Sequence, residues 1–493
     1  MICVSIGRGR HRHMIAEHRH LVERGARLVE LRLDYVQSGR VNLKRLLQDR
    51  PCPVIATCRR QRDGGKYTGS EEERMLLLRT AIAEGVDYVD LEEDVASAIS
   101  RYGKTRRVIS MHNFRKTPED LEEIHGRLCS LDADIVKIAT LANRPRDNLR
   151  MLQLMQQSPV PTVGICMGDI GVPSRILAAR FGAPFTYATF HHERALAPGQ
   201  LSFQQMIDVY HYDEIDAQTA VYGVIGDPIG HTFSPLVHNA AFRHLGLNCV
   251  YVPFRIPRGE LQTFLEDARD LGVKGLSVTI PHKEAVVRGL GKVDGAVRSV
   301  GAANTLVFEE RQIVGYNTDY RAAMDSLEEA LGDAHSALNR KTALVLGAGG
   351  VARAIAHGLK RRVADVVITS RTQQRADELA ERVGGTPIDW ESRYTVPADI
   401  IVNCTPMGMH PDVDDSPFEK HYLKPPMVVF DTVYNPESTV LIKEARKRNC
   451  TVVTGVDMFI RQAALQFELF TGREAPAALM RDALRRAMGP VKV

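Results

Sequence analysis

Eight short β-rich runs recur along the N-terminal part of the chain, at 2–6, 27–33, 53–58, 86–92, 107–112, 134–140, 161–167 and 185–190. Each is followed by enough residues for a helix. Strands separated by helices cross over and pair in parallel. Eight such units in about 200 residues predict a (β/α)8 TIM barrel. A doubly wound parallel sheet is the competing arrangement. The chain has 493 residues, so the barrel accounts for less than half of it and a length prior suggests roughly three domains.

The polar residues of this first part favour the barrel. Glu30 and Arg32 lie in the second run, Arg59 follows the third, Glu92 closes the fourth and His112 closes the fifth. Lys137 sits inside the sixth, Arg175 lies past the seventh and Gln200 past the eighth. In a barrel these positions converge on the C-terminal mouth, where such folds place chemistry. Lys137 interrupts Asp134-Ile135-Val136-Lys137-Ile138-Ala139, a strand otherwise suited to burial. Taken alone it reads as an edge or snorkelling lysine. With His112 and Glu92 on the two preceding strands it reads as a desolvated amine beside a general acid/base and its orienting carboxylate.

Composition narrows the classes. Lys plus Arg total 64 and Asp plus Glu 60, a net of +4 that gives no support to a nucleic-acid or membrane-surface partner. The basic stretch with Arg8, Arg10, Arg12, Arg19 and Arg24 is interrupted by Glu17 and Glu23, and helical spacing spreads it over several faces. No apolar run reaches the length of a membrane helix. Eight scattered cysteines without a Cys-x-x-Cys pair read as thiols of a reducing, cytoplasmic compartment. His191-His192-Glu193 has no matching partner for a metal, and none is expected.

After a short polar join at 213–219, a new strand opens at Val221. The following hundred residues carry polar signals at element ends, among them Thr232 and Ser234, Thr279 and Lys283, Asn304, and Asp319. Each alone is ordinary turn chemistry. Together their hydroxyls, amide, amine and carboxylate suit a polyhydroxylated acid. An apolar strand then runs into Gly347-Ala348-Gly349-Gly350-Val351-Ala352 and a helix. That is a Rossmann fingerprint in its proper strand–helix context. The next strand ends in Ser370-Arg371-Thr372, with Arg375 beyond, where NAD enzymes commonly place an acidic residue. Arginines suit a 2′-phosphate, so NADP is the expected cofactor.

The segments Glu30–Asp34, Asp90-Leu91-Glu92, Ser110–Asn113, Asp134–Ala139 and Ala197–Gln200 resemble type I 3-dehydroquinate dehydratase. The resemblance implies an imine between Lys137 and the substrate ketone, proton transfer by His112, and Glu92 as the group orienting His112. It implies that Arg175 grips the substrate carboxylate, with Glu30, Arg32, Arg59 and Gln200 at its hydroxyls. The family usually has serine where this chain has Leu196.

From Val221 onward, Ser234-Pro235, Thr279–Lys283, Gly315–Asp319, the glycine motif, Ser370–Thr372 and Gly455–Gln462 resemble shikimate dehydrogenase. This implies that Lys283 and Asp319 are a catalytic pair. Thr232, Ser234, Thr279, Asn304, Tyr434 and Gln462 would then bind substrate. Asn403, Thr405, Met407, Gly455 and Met458 would join the glycine loop at NADPH. Thr232 replaces the first serine of the family's usual Ser-x-Ser pair.

The expected layout is a barrel over 1–215, a substrate-binding α/β domain over 220–323, and a Rossmann domain over 324–456, with helices in 457–493 packing back. The whole chain resembles the bifunctional 3-dehydroquinate dehydratase–shikimate dehydrogenases. A C-terminal half acting as a quinate/shikimate dehydrogenase, and a metabolite-sensing regulatory protein, are the alternatives. The sequence does not fix the oligomeric state.

Overall fold

The computed structural model describes residues 1–37, 41–191, 196–230, 232–332 and 338–489. By contact the chain forms two compact units. One is Met1–Gly223, Pro228–Pro235 and Gly246–Gly272, and the other is Val224–Asp227, Leu236–Leu245 and Val273–Val493.

In the first unit, eight strands form one parallel sheet: β1 (Ile2–Ile6), β2 (Leu28–Arg32), β3 (Val54–Thr57), β4 (Tyr88–Glu92), β5 (Arg106–Asn113), β6 (Ile135–Leu141), β7 (Thr162–Met167) and β8 (Thr186–Thr189). Their order is β7-β6-β5-β4-β3-β2-β1-β8, so the sheet curls until β8 pairs with β1. This is the expected barrel, with β7 and β8 as its two edges.

Alternation then decides what the barrel holds. Side chains two apart share a face. Cys3, Leu28, Ile55, Val108, Ile135, Val163 and Phe185 belong to one buried apolar cluster. The residues two positions further on, among them Ser5, Glu30, Thr57, Ser110 and Lys137, bring polar groups onto the same side. Hydrophobic packing thus forms the floor on which a charged layer stands. Elsewhere in this unit, Arg146 of helix Arg146–Gln157 forks onto Asp267 at 2.7 and 2.8 Å, and Arg255 pairs with Asp169 at 3.2 Å. The segment Gly246–Gly272 accordingly groups with the barrel, although it follows the polar join at 213–219.

Two further six-stranded sheets follow. The first comprises β9 (Ala220–Gly226), β10 (Cys249–Arg255), β11 (Val273–Val278), β12 (Lys292–Val293), β13 (Thr305–Phe308) and β14 (Ile313–Tyr316), in the order β10-β9-β11-β13-β14-β12. The second comprises β15 (Thr342–Leu346), β16 (Asp365–Thr369), β17 (Thr386–Ile388), β18 (Ile400–Asn403), β19 (Val428–Asp431) and β20 (Thr451–Val453), all parallel. Its order, β17-β16-β15-β18-β19-β20, is the 3-2-1-4-5-6 arrangement of the doubly wound dinucleotide fold.

Helices Thr318–Leu331 and Gly350–Lys360 cover one face of that sheet through Met324, Leu327, Ile355 and Leu359. Helix Gly455–Thr471 returns toward β11 and β13. Its Gln466 accepts from Ser277 Oγ at 2.6 Å and donates to Asn304 O and Thr305 Oγ1 at 3.0 Å each. Among the described residues no helix is long and apolar enough to cross a membrane.

Candidate functional site

The barrel mouth is a cleft lined by Glu30, Arg32, Arg59, His112, Lys137, Arg175 and Gln200, all expected from the sequence. Ser5, Asp63, Phe114, Tyr187 and Leu196 also line it. Lys137, only 6 % exposed, places Nζ 3.0 Å from Asp90 Oδ2, 3.4 Å from Glu30 Oε1 and 4.1 Å from the centre of the Tyr187 ring. The amine is buried, as the sequence suggested, but the carboxylates it meets are Asp90 and Glu30. Glu30 is itself held by Ser5 Oγ at 2.7 Å and Thr57 Oγ1 at 2.9 Å. Burial raises the proton affinity of Asp90 and Glu30, but Arg59 and Lys137 around the first, and Lys137 and Arg32 around the second, outweigh it. Both carboxyls end below their ordinary range.

Glu92 departs from expectation. Its Oε1 receives Arg59 Nη1 at 2.7 Å and its Oε2 receives Arg74 Nη1 at 2.8 Å, so it anchors two guanidinium groups instead of orienting His112. It does not line the cleft. The physical reason is charge: a buried carboxylate beside two buried arginines is more strongly held by them than by a neutral imidazole. Arg74, fully buried on helix Glu71–Ala83, was not visible as a site residue from the sequence.

His112 stacks near Phe114, with ring centroids 6.2 Å apart, and its Nδ1 is buried without a hydrogen-bond partner among the described residues. Burial, with Arg59 and Lys137 adding repulsion, lowers its pKa well below the ordinary 6.5. Arg175 is 2 % exposed, and among the described residues its Nε has no partner and Nη2 has only a 3.4 Å contact to Pro198 O. Burial pushes its pKa down to about 10. Among the described residues no carboxylate pairs with it, which leaves a cation at the cleft ready for an anion. Gln200 accepts from Leu196 N at 2.9 Å, which ties down the loop before it. His192 and Glu193 lie outside the described residues.

In the second unit, Lys283 Nζ donates to Asp319 Oδ2 at 2.7 Å, and both side chains are largely buried. Asp319 lies in the first turn of Thr318–Leu331, where a negative charge meets the positive helix end. Asn317 caps this helix, and Asn304 braces it: Oδ1 accepts Thr318 N at 2.8 Å while Nδ2 donates to Thr318 Oγ1 at 2.9 Å. Among the described residues Asn304 Nδ2 makes no second hydrogen bond. Thr279 follows β11, with its N–H on Ile225 O. Gln462 donates to Phe459 O at 3.0 Å, and Tyr434 stacks on Phe459 at 4.5 Å, its phenol pushed up to about 12 by burial. In the first unit, Thr232 Oγ1 donates to Ser234 Oγ at 3.1 Å.

The glycine loop fits a dinucleotide. Gly347 has φ +109°, and a Cβ there would lie 2.9 Å from Cys404 O. Gly349 begins helix Gly350–Lys360 without a side-chain cap, so the first-turn N–H groups remain for a phosphate. A Cβ on Gly350 would meet Lys283 Cδ at 3.0 Å, so the loop and the Lys283 stem touch. Ala348 and Ala352 are buried, and Val351 packs at the edge of the same core. Ser370 Oγ accepts Thr372 N at 3.4 Å, and Arg371 and Arg375 are exposed with no ion pair among the described residues.

Asn403 holds its loop by accepting from Thr405 Oγ1 at 2.7 Å and donating to Met407 O at 3.3 Å and to Asp431 Oδ1 at 3.0 Å. Gly455 approaches the backbone after β19 so closely that a Cβ would lie 2.2 Å from Val433 O, and Met458 is buried beyond it. Among the described residues no group of three or more side chains is placed to hold a metal.

Fold and sites together define an α/β lyase barrel carried on one chain with a dinucleotide-dependent oxidoreductase. The family model for type I 3-dehydroquinase matches residues 2–217. That for the shikimate dehydrogenase substrate binding domain matches 224–306, shikimate/quinate 5-dehydrogenase 329–433, and the shikimate 5′-dehydrogenase C-terminal domain 455–485. The chloroplastic bifunctional 3-dehydroquinate dehydratase/shikimate dehydrogenase of Arabidopsis thaliana is 39% identical over 97% of this chain and 83% of its own. The shikimate biosynthesis protein AroDE of Chlamydia pneumoniae is 30% identical over 92% of this chain and 90% of its own. A crystal structure of shikimate dehydrogenase in complex with NADP+ is 37% identical with a TM-score of 0.52, covering 56% of this chain and 98% of that one. The chain belongs to the bifunctional 3-dehydroquinate dehydratase/shikimate dehydrogenase family, and both activities act in the shikimate pathway.

The depressed proton affinity of His112 has a direct consequence. Neutral imidazole reacts with diethyl pyrocarbonate and imidazolium does not, so carbethoxylation of His112, followed by peptide mass spectrometry, should persist as pH falls through 6.5 and be lost only below it. A midpoint at 6.5 or above would show that burial does not hold His112 neutral.

Proposed function

We propose that Lys137 and His112 carry the dehydration within a domain formed by residues 1–215. The observation behind this is the buried Lys137 nitrogen in a cleft shared with a neutral imidazole and an unpaired guanidinium. Lys137, once deprotonated, adds its lone pair to the ketone carbon of 3-dehydroquinate, and the ketone oxygen leaves as water, giving an iminium. The iminium draws electrons from the adjacent C–H, His112 takes that proton, and the resulting enamine expels the β-hydroxyl, which His112 protonates to water. Water then hydrolyses the iminium, releasing 3-dehydroshikimate and freeing Lys137. Arg175 receives the carboxylate, while Glu30, Arg32, Arg59 and Gln200 meet hydroxyls. Glu92 acts here through Arg59 and Arg74.

For the reduction we assign residues 220–323 to substrate, with the C-terminal helices beside them, and 324–456 to NADP. The glycine loop from Gly347 to Ala352 takes the pyrophosphate. Ser370, Arg371, Thr372 and Arg375 take the 2′-phosphate, and Asn403, Thr405, Met407, Gly455 and Met458 flank the nicotinamide. Bound NADPH supplies a hydride to the ketone carbon of 3-dehydroshikimate. Lys283 then gives its proton to the developing alkoxide, and Asp319, 2.7 Å from its nitrogen, keeps Lys283 aimed. Ser234, Thr232, Thr279, Asn304, Tyr434 and Gln462 bind substrate. The eight cysteines are all free, which supports a reducing compartment such as the cytoplasm.

Borohydride added during turnover should reduce the iminium to a secondary amine, mapped by mass to Lys137. Lys137→Ala should abolish dehydration and spare reduction of added 3-dehydroshikimate, and Lys283→Ala should do the reverse. An adduct on another lysine sinks the barrel assignment. Loss of both activities in either variant sinks the division of labour.

Replacing Arg371 and Arg375 with glutamine should raise the KM for NADPH and leave NADH nearly unaffected, because only the former carries the 2′-phosphate. Equal weakening of both cofactors would assign the arginines to loop structure.

A further inference from the structure

Asp90 lies on β4, two residues before Glu92 and therefore on the same inward face. It is 1 % exposed, yet its carboxylate serves three groups. Oδ2 accepts Lys137 Nζ at 3.0 Å, Oδ1 accepts Ser110 Oγ at 2.6 Å, and Oδ1 lies 2.7 Å from Arg59 Nη2. Arg59 and Ser110 are themselves joined, Nη1 to Oγ at 3.0 Å. The carboxylate is thus clamped from the side away from Lys137 and cannot follow the lysine if the lysine swings. With Glu30 at 3.4 Å and the Tyr187 ring face at 4.1 Å, the Lys137 nitrogen is enclosed by two anions and an aromatic face.

That enclosure matches the reaction's charges. Resting on the reading of Lys137 as the imine former, the nitrogen is cationic as ammonium, neutral when it attacks, and cationic again as iminium. We propose that Asp90 is a positioning residue of the dehydratase: it fixes the Lys137 nitrogen in the cleft and keeps a negative charge beside it as ammonium and as iminium. The fixed geometry favours attack on the ketone, and the adjacent charge stabilises the iminium that follows.

The test uses the full chain with Asp90→Asn and Ser110→Ala, with reduction of added 3-dehydroshikimate as a control and circular dichroism melting as a check on folding. Borohydride trapping on wild-type Lys137 comes first; failure there overturns the imine reading and this proposal with it. Given the wild-type adduct, Asp90→Asn should lower the plateau of kcat/KM for dehydration on the order of 10²-fold. The loss should fall on kcat, with KM nearly unchanged, because Asp90 holds the Lys137 nitrogen and not the substrate. A loss carried by KM would mean a merely structural role, and an unchanged plateau would mean no positioning; either overturns the proposal. If Asp90→Asn does not fold, Ser110→Ala decides. It keeps the charge but frees one clamped oxygen, so it should lower the plateau through kcat, and an unchanged plateau or a loss carried by KM overturns the proposal.

Discussion

Charges taken out of water must be neutralised where they sit, and the barrel half of this chain is organised around that requirement. Lys137, Arg59 and Arg74 are buried cations, and Asp90, Glu30 and Glu92 are the buried anions that meet them. Removing one partner from such a pair typically costs about 3–5 kcal/mol, because a lone buried charge remains. The network therefore constrains the fold as much as the fold presents the network. The apolar cluster around Ile55, Val108, Ile135 and Phe185 supplies the floor, and the two-residue pleat sets the charged layer above it.

The reductase half relies on different physics. The largely buried pair of Lys283 with Asp319 sits at a helix start that already favours the carboxylate. Neutral amides hold the surrounding loops: Asn304 braces Thr318, Asn403 braces Thr405 and Met407, and Gln466 ties the returning helix to β11 and β13. Glycines supply what a dinucleotide needs, an open backbone at Gly347 and an uncapped helix start after Gly349.

This contrast explains what could be read in advance. Strand positions were legible because β-branched runs and their spacing carry the signal, and the eight barrel strands fall within two residues of the expected runs. Lys137 was legible as a polar interruption of an apolar strand, and His112 and Arg59 as polar residues at strand ends. Asp90 and Ser110 lie two residues deeper than Glu92 and His112, on the same face, and a reading confined to strand ends passes over them. Arg74 and Gln466 come from helices, where a charged or amide residue looks like ordinary surface until packing buries it. Glu92 was found but given the wrong partner, since sequence does not show that Arg74 reaches it.

Around the cleft, the ion pairs leave one charge over. Arg32 is forked on Asp34, Arg59 and Lys137 have their carboxylates, and Arg175 has none among the described residues. An uncompensated buried cation destabilises the unliganded protein and is repaid when an anion arrives. The decisive measurement is a pair of numbers on Arg175→Met: the unfolding midpoint of the barrel without ligand, and the KM for 3-dehydroquinate. The account predicts an unliganded barrel at least as stable as the wild type together with a KM raised by on the order of 10²-fold. A variant that is markedly less stable, or that keeps its KM, would contradict the view that the substrate's carboxylate completes the charge network.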